Sequence, residues 1–171
     1  MVFVDQSGFY LLPMVLSTYA PMGKTPVIRH YLTRDHLSVM SGITPRGKLY
    51  MRVQDRPYKG PDVVNFLRHL PQHIPGKLLV LWDGAPIHRS QVVKEYLADG
   101  AAARVHLERL PAYAPELNPD EGIWSYLKRI ELKNLSCHNR SHLRRELRKA
   151  KERLRHKIHI ILGCIEQAGL V

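Results

Sequence analysis

The stretch LLVLWDGAPIH, Leu78 to His88, opens with five apolar residues and then presents a carboxylate, a glycine and a proline. An unbroken apolar run of this length is the pattern of a β-strand covered on both faces, as in sheets with helices on each side. Helix signals stand on either side of it. Asp62, after Pro61, caps a helix through Val63, Phe66, Leu67 and Leu70 that is expected to end at Pro71, and Ser90 caps another through Val93, Tyr96 and Leu97, closed by Gly100. Arg104 to Leu110 returns as a strand, and Pro119 to Leu132 reads as helix. Towards the front, Met1 to Asp5 is an apolar run ending in a carboxylate, with Gly8 as a turn before the apolar stretch Phe9 to Leu16. His36 to Ile43 and Lys48 to Val53 are strands joined by a hairpin turn at Thr44 to Gly47. Three antiparallel strands followed by alternating helices and strands predict an α/β fold with a mixed sheet. No repeat or linker divides the chain. We expect one domain over residues 1–171, with a core over about 1–135 and a basic helical region over about 136–171.

Twenty-six Lys and Arg against 15 Asp and Glu give the 171 residues a formal charge of +11, with ten histidines neutral. So large an excess on a small domain favours polyanions, of which nucleic acid is the commonest. Nine of the cations lie between Arg140 and Lys157, against Glu146 and Glu152 alone. Leu143, Leu147, Ala150, Leu154, Ile158, Ile161 and Ile165 recur there at helical spacing, so one long helix is expected, apolar on one face and basic on the other. The basic face has two open readings, a solvated surface or a track for phosphates. The apolar face also has two, packing on its own core or on a second copy in a homodimer. No apolar run approaches the ~18 residues of a membrane span, so no membrane partner is expected. Cys137 and Cys164 are too few for a disulfide scaffold and form no CxxC pair, which suits a reducing cytoplasmic setting.

Asp5 and Asp83 each follow an apolar strand, a position at the rim of a sheet where ligands approach. A third acidic group, Glu116, Asp120 and Glu121, lies in YAPELNPDEGIW, Tyr113 to Trp124. Pro119 suits the first turn of the helix that follows, which puts Glu121 in that turn and Trp124 one turn later, facing the core. Carboxylates converging within a basic protein repel unless a cation holds them, and Mg²⁺ or Mn²⁺ does so through oxygen ligands. Each piece has an ordinary alternative. Asp5 can open a turn with Ser7 and Gly8, Asp83-Gly84 is a common turn pair, and Glu121 suits a helix N-terminus without any ligand. His88 can anchor a loop.

Taken together, these three words resemble the catalytic domain of the IS630/Tc1-mariner transposases, members of the DDE superfamily with a ribonuclease H-like fold. YAPELNPDEGIWSYLK is similar to the family's Tyr-Ser-Pro-Glu-Leu-Asn-Pro-Ile-Glu and its Trp-containing helix, and places the third acid on Glu121. The segment from Asp83 to His88 resembles Asp-Asn-Ala-x-x-His, and the segment from Asp5 to Phe9 resembles Asp-Glu-Ser-Gly-Phe. RLPAYAP and GKTPV also look like the family's connecting words. The resemblance covers roughly Met1 to Leu132. It implies a ribonuclease H-like sheet with a long basic C-terminal helix, and Asp5, Asp83 and Glu121 as catalytic ligands of two Mg²⁺ or Mn²⁺ ions. One ion would activate water or a DNA 3′-hydroxyl, and the other would stabilise the departing oxygen. His88 and Asn118 would support the site. Arg140, Arg144, Arg145, Arg148, Lys149, Lys151 and Arg155 would neutralise DNA backbone phosphates. The implied partners are transposon ends and target DNA, in a nucleoid-associated, bacterial setting if the IS630 likeness holds.

The chain departs from the family pattern at several points. Gln6 replaces an acid common after the first Asp, Gly84 replaces the usual Asn, and Asp120 stands where Ile is common, adding a charge beside Glu121. The 37 residues between Asp83 and Glu121 exceed the Tc1 spacing, and the excess is expected in a loop near Ala101 to Arg104. Family members carry a helix-turn-helix region ahead of the first catalytic strand, whereas Asp5 lies almost at the start here, so recognition of specific ends is not expected of this chain. Two other functions remain open: a nuclease of the same fold without transposition, and a non-catalytic DNA-binding remnant.

Overall fold

The computed structural model describes residues 1–30, 33–111 and 114–169; Ala112 and Tyr113 of the RLPAYAP word lie outside them. Ten elements carry the architecture: β1 (Val2–Tyr10), β2 (His36–Ile43), β3 (Leu49–Gln54), α1 (Gly60–His73), β4 (Leu78–Trp82), α2 (Gln91–Ala98), β5 (Val105–Arg109), α3 (Asp120–Tyr126), α4 (Arg140–Arg155) and α5 (Ile158–Gln167). The strands form one sheet in the order β3-β2-β1-β4-β5. β1 and β3 both pair antiparallel with β2, while β4 pairs parallel with β1 and with β5. This mixed sheet between helical layers is the ribonuclease H-like α/β fold.

Side-chain alternation along β1 sorts its residues between two cores. Val2 and Val4 join Met40, Val80 and Trp82 under α1, which contributes Val63, Phe66, Leu67 and Leu70. Phe3 and Phe9 join Leu37, Val39 and Ile43 on the other face, under Ile123, Trp124, Leu147 and Leu154. Asp5 and Ser7 share the parity of Phe3 and Phe9, so they face α3, while Gln6 faces the opposite side.

The strand boundaries differ from expectation in one consequential place. Gly8 makes no turn, because it lies within β1 opposite Ser38, and the strand runs unbroken from Val2 to Tyr10. Asp5 therefore sits inside a strand and not at its end. Its neighbour β4 stops early, the last parallel pair being Val4 with Trp82. Asp83 leaves the sheet at the level of Asp5, so the rim is made by the ending of β4. The first helix also outlasts its proline, with α1 continuing one residue pair beyond Pro71 to His73. Only the N–H that proline lacks is lost there, near a helix end. Ala101–Ala103 forms a short 3₁₀ turn between α2 and β5, in the region of the expected insertion.

The C-terminal stripe is carried by two helices. The long basic helix α4 ends at Arg155, and Lys157 turns the chain with φ −105° and ψ 62°. Its Nζ donates to Tyr126 Oη at 2.8 Å and to Glu131 Oε1 at 3.1 Å, which ties the corner to the end of α3. α5 then folds back so that Ile161 and Ile165 are buried with α3, whereas a straight continuation would have carried them off the sheet. Ile158, placed on the same stripe by its spacing, is instead half exposed. It packs on Gly47 in the β2–β3 turn, where a Cβ would lie 2.5 Å from Ile158 Cγ2 and where φ is +74°. We expect Gly47→Ala to cost ~1–3 kcal/mol through strain and overlap, read as a lowered Tm.

Candidate active site

Asp5, Asp83 and Glu121 line one open cavity of about 380 Å³, together with Gly84, Arg109, Asn118, Leu110, Pro111, Ala114 and Pro115. β1, the end of β4 and the first turn of α3 meet at this point. Three acids separated by up to 116 positions in sequence are thus brought to a single opening.

Asp5 is only 6% exposed. Its Oδ2 accepts a hydrogen bond from Trp124 Nε1 at 2.8 Å. Burial pushes its carboxyl up to about 6, against the lowering effect of Trp124 and the backbone N–H of Gln6, and the charges of Glu121 and Asp83 add to the rise. Trp124 was expected only as a core residue; its ring does meet Phe9 edge-on at 5.9 Å, but its N–H serves the acid.

Asp83 is organised from the other face of the sheet. His88 is buried and stacks on Trp82, with centroids 4.1 Å apart and planes 2° from parallel. Its Nδ1 lies 2.8 Å from Asp83 Oδ1 and 3.2 Å from the Asp83 carbonyl. The Gln6 amide donates to His88 Nε2 at 3.0 Å, so the ring proton is directed to Nδ1 and towards Asp83. Ala85 N–H also donates to Asp83 Oδ1, at 3.0 Å. The bond from His88, foremost, holds the Asp83 carboxyl below its usual range. Gln6, noted in the sequence only as a departure, is the residue that sets this histidine; nothing but the alternation of β1 could have shown it.

Glu121 is exposed at the cavity mouth. Asn118 starts its helix, with Oδ1 accepting from Asp120 N–H at 3.3 Å and the carbonyl accepting from Glu121 N–H at 3.1 Å. Asp120 is fully buried, and Ser41 Oγ, beside Asp5 across the β1–β2 ladder, donates to its Oδ1. Its Oδ2 has no hydrogen-bond partner among the described residues. Burial, then the charge of Asp5, pushes the Asp120 carboxyl well above the usual range, which favours the neutral acid over the added charge expected beside Glu121. One side-chain bond from Ser41 and one from Trp124 therefore tie α3 to adjacent strands on either side of Glu121. Lys128, one further turn along, donates from Nζ to Ser7 Oγ at 2.7 Å and lies 5.2 Å from the Phe9 ring centroid.

Among the described residues, no three His, Cys, Asp or Glu side chains are already gathered as a metal-ligand cluster. The donor set nevertheless fits a hard divalent ion. All three groups are carboxylates on one opening, the like charges of Glu121 and Asp83 that add to the effect of burial on Asp5 are ones a cation would offset, and a carboxylate has about four lone-pair sites. Trp124 and His88 take only part of these. The basic residues of α4 are not brought to the opening. The helix packs beside β2 and β3, and many of its cations meet acids. Arg144 pairs with Asp55 at 2.7 Å, Lys149 and Arg145 with Glu146 at 3.0 and 3.2 Å, and Lys151 and Arg155 with Glu152 at 3.2 and 3.4 Å. Arg140 donates to the Asp55 carbonyl, and Arg148 has no side-chain partner among the described residues.

Comparison with known proteins bears on the family and the fold. A family model described as a DDE superfamily endonuclease matches residues 1–144. No curated protein matches the chain. Among solved structures, the Mos1 strand transfer complex superposes with a TM-score of 0.65 at 16% identity, covering 98% of this chain and 54% of that one. The catalytic domain of Mos1 mariner transposase gives 0.61 at 14% identity, covering 98% and 81%. A simian T-cell lymphotropic virus intasome gives 0.60 at 13% identity, covering 87% and 45%. The chain thus spans about half the length of the Mos1 chain in the strand transfer complex. The likeness at these identities is one of fold, and the family rests on the sequence model together with the three words that carry it: this chain belongs to the DDE superfamily endonucleases, in the IS630/Tc1-mariner branch.

Proposed function

We propose that this chain is the catalytic part of a DNA transposase, cleaving and joining phosphodiester bonds with Asp5, Asp83 and Glu121 as ligands of two Mg²⁺ or Mn²⁺ ions. The observation that carries this reading is the convergence of those three acids on one cavity, each set by a different element. Related support comes from Mos1 complexes described with Mn and with Mg, and from Mos1 paired-end and strand transfer complexes. Bound ions would supply an activated oxygen nucleophile and neutralise charge on the leaving oxygen. The chain's own residues do the rest. Asp5 and Asp83 are held by Trp124 and by the Gln6–His88 pair, and the first turn of α3 carries Glu121 to the same opening. Exposed ion pairs such as those on α4 are worth only ~0–1 kcal/mol, so DNA phosphates can displace their carboxylates, giving salt-sensitive, sequence-independent binding.

The test is Mn²⁺ titration and nicking of supercoiled plasmid by wild type and Asp83→Asn. Wild type should bind Mn²⁺ and nick, and the variant should lose at least about a hundredfold in nicking. Mn²⁺ binding no better than the variant's, with no nicking, sinks the reading. A duplex with a pre-cleaved 3′ end separates transposase from nuclease, because only the former joins it to a target.

A further inference from the structure

Arg109 ends β5 in register with Trp82, so it stands beside the point where Asp83 leaves the sheet. Its guanidinium lies over Gly84, and a Cβ built there would overlap the guanidinium atoms. The glycine is the position at which the family word carries Asn. The side chain thus occupies space that the family's residue would take. Arg109 is exposed and lines the cavity with Asp5, Asp83 and Glu121. Its charge reaches Asp83, yet among the described residues the guanidinium makes no hydrogen bond and no ion pair within 4 Å. The other arginine of this sheet edge, Arg104, is by contrast spent on the carbonyls of Pro71, Ile74 and Gly76.

A planar guanidinium with free donors at the mouth of an acid-lined cleft matches the non-bridging oxygens of a phosphodiester. We infer that Arg109 is a substrate-binding residue, holding a backbone phosphate of the DNA strand that enters the cavity, and that Gly84 is the space that admits it. This inference rests on the proposed function, because it takes DNA as the substrate of the same cavity. It places a phosphate-binding cation at the cavity itself, whereas the sequence had pointed for phosphate contacts only to the cations of α4.

The experiment measures binding of a fluorescent 30-base-pair duplex in Ca²⁺ at several salt concentrations, for wild type, Arg109→Gln, Gly84→Asn and the double variant. Arg109→Gln should weaken binding about fivefold to tenfold and flatten the log-log salt slope by roughly one phosphate contact. Gly84→Asn should do the same by taking the space, and the double variant should be no worse than either, since both remove one contact. Thermal unfolding of all four is expected to agree, as both positions are at the surface of the cleft. Duplex affinity and slope unchanged in Arg109→Gln overturn the inference, whether or not its Mn²⁺ affinity rises; so does additivity in the double variant, or a wild type with no affinity for the duplex. Failure of the catalytic reading is seen separately: wild type would then bind the duplex through Arg109 while neither binding Mn²⁺ nor nicking.

Discussion

Asp5→Asn is expected to make the metal-free protein more stable at neutral and alkaline pH while abolishing its Mn²⁺ binding. The carboxyl of Asp5 is held up to about 6 by burial, from an ordinary value of 3.8. A group raised in this way stabilises the fold fully below its unfolded pKa, and that contribution is lost as pH rises through the folded value. Above about pH 6, the ionised carboxylate then costs about 3 kcal/mol relative to the protonated state. Asparagine does not ionise, and its side-chain oxygen can still accept from Trp124. Urea unfolding with EDTA should show the variant ahead at pH 8 by up to about 3 kcal/mol, or very roughly 5–10 °C in Tm, and equal to wild type below pH 4. With saturating Mn²⁺ the order should narrow or reverse, because only the wild type gains from binding. Equal stability of the two proteins at pH 8 without metal would show that Asp5 is not strained by its burial. The same proton competes with the cation, so wild-type Mn²⁺ affinity should fall about tenfold for each pH unit below about 6.

The second large effect concerns Trp124. Truncation to alanine removes a buried ring that meets Phe9 and should cost about 3–5 kcal/mol. Trp124→Phe keeps most of the ring but loses the N–H, and with it a bond to a charged acceptor worth about 1.5–3 kcal/mol at a pH where Asp5 is ionised. The phenylalanine variant also loses the contact that lowers the Asp5 carboxyl, so its Mn²⁺ binding should require a higher pH than wild type. Denaturant curves and Mn²⁺ titrations over pH 5 to 8 check both effects. If Phe restores the wild-type pH dependence, the indole is packing alone and the Asp5 bond has no functional weight.

Much of the fold was legible because its signals are local. The apolar run Leu78–Trp82 and the turn at Thr44–Gly47 depend on neighbours within a few residues, whereas the expected cap residue Asp62 lies in the first turn of α1 behind an N-cap at Lys59, and Ser90 precedes α2 without a side-chain cap bond among the described residues. Gly8 was misread for the same reason: a glycine in sequence looks like a turn, and only its pairing with Ser38 shows that the ladder continues. The break at Lys157 is similar, since a helical stripe persists across it and the corner is held by Glu131 and Tyr126 from another helix. Trp124 was placed in the core from its spacing, and its second duty to Asp5 depends on a contact 119 positions away.

The words around Asp5, Asp83 and Glu121 by themselves identified the family and singled out three candidate acids, because residue type and order within a short motif are properties of the chain. The run from Arg140 to Lys157 by itself showed where most of the excess charge lies. The tertiary structure alone decided how those charges are used. Strand parity sends Asp5 towards Trp124 and Gln6 towards His88, the early end of β4 opens the cavity beside Asp5, and Asp55 and Glu131 from other segments meet Arg144 and Arg153 of the basic helix. Charge summed over a sequence has no direction; the sheet supplies it, placing carboxylates at the cleft with Arg109, whose guanidinium has no hydrogen-bond or ion-pair partner among the described residues, beside them.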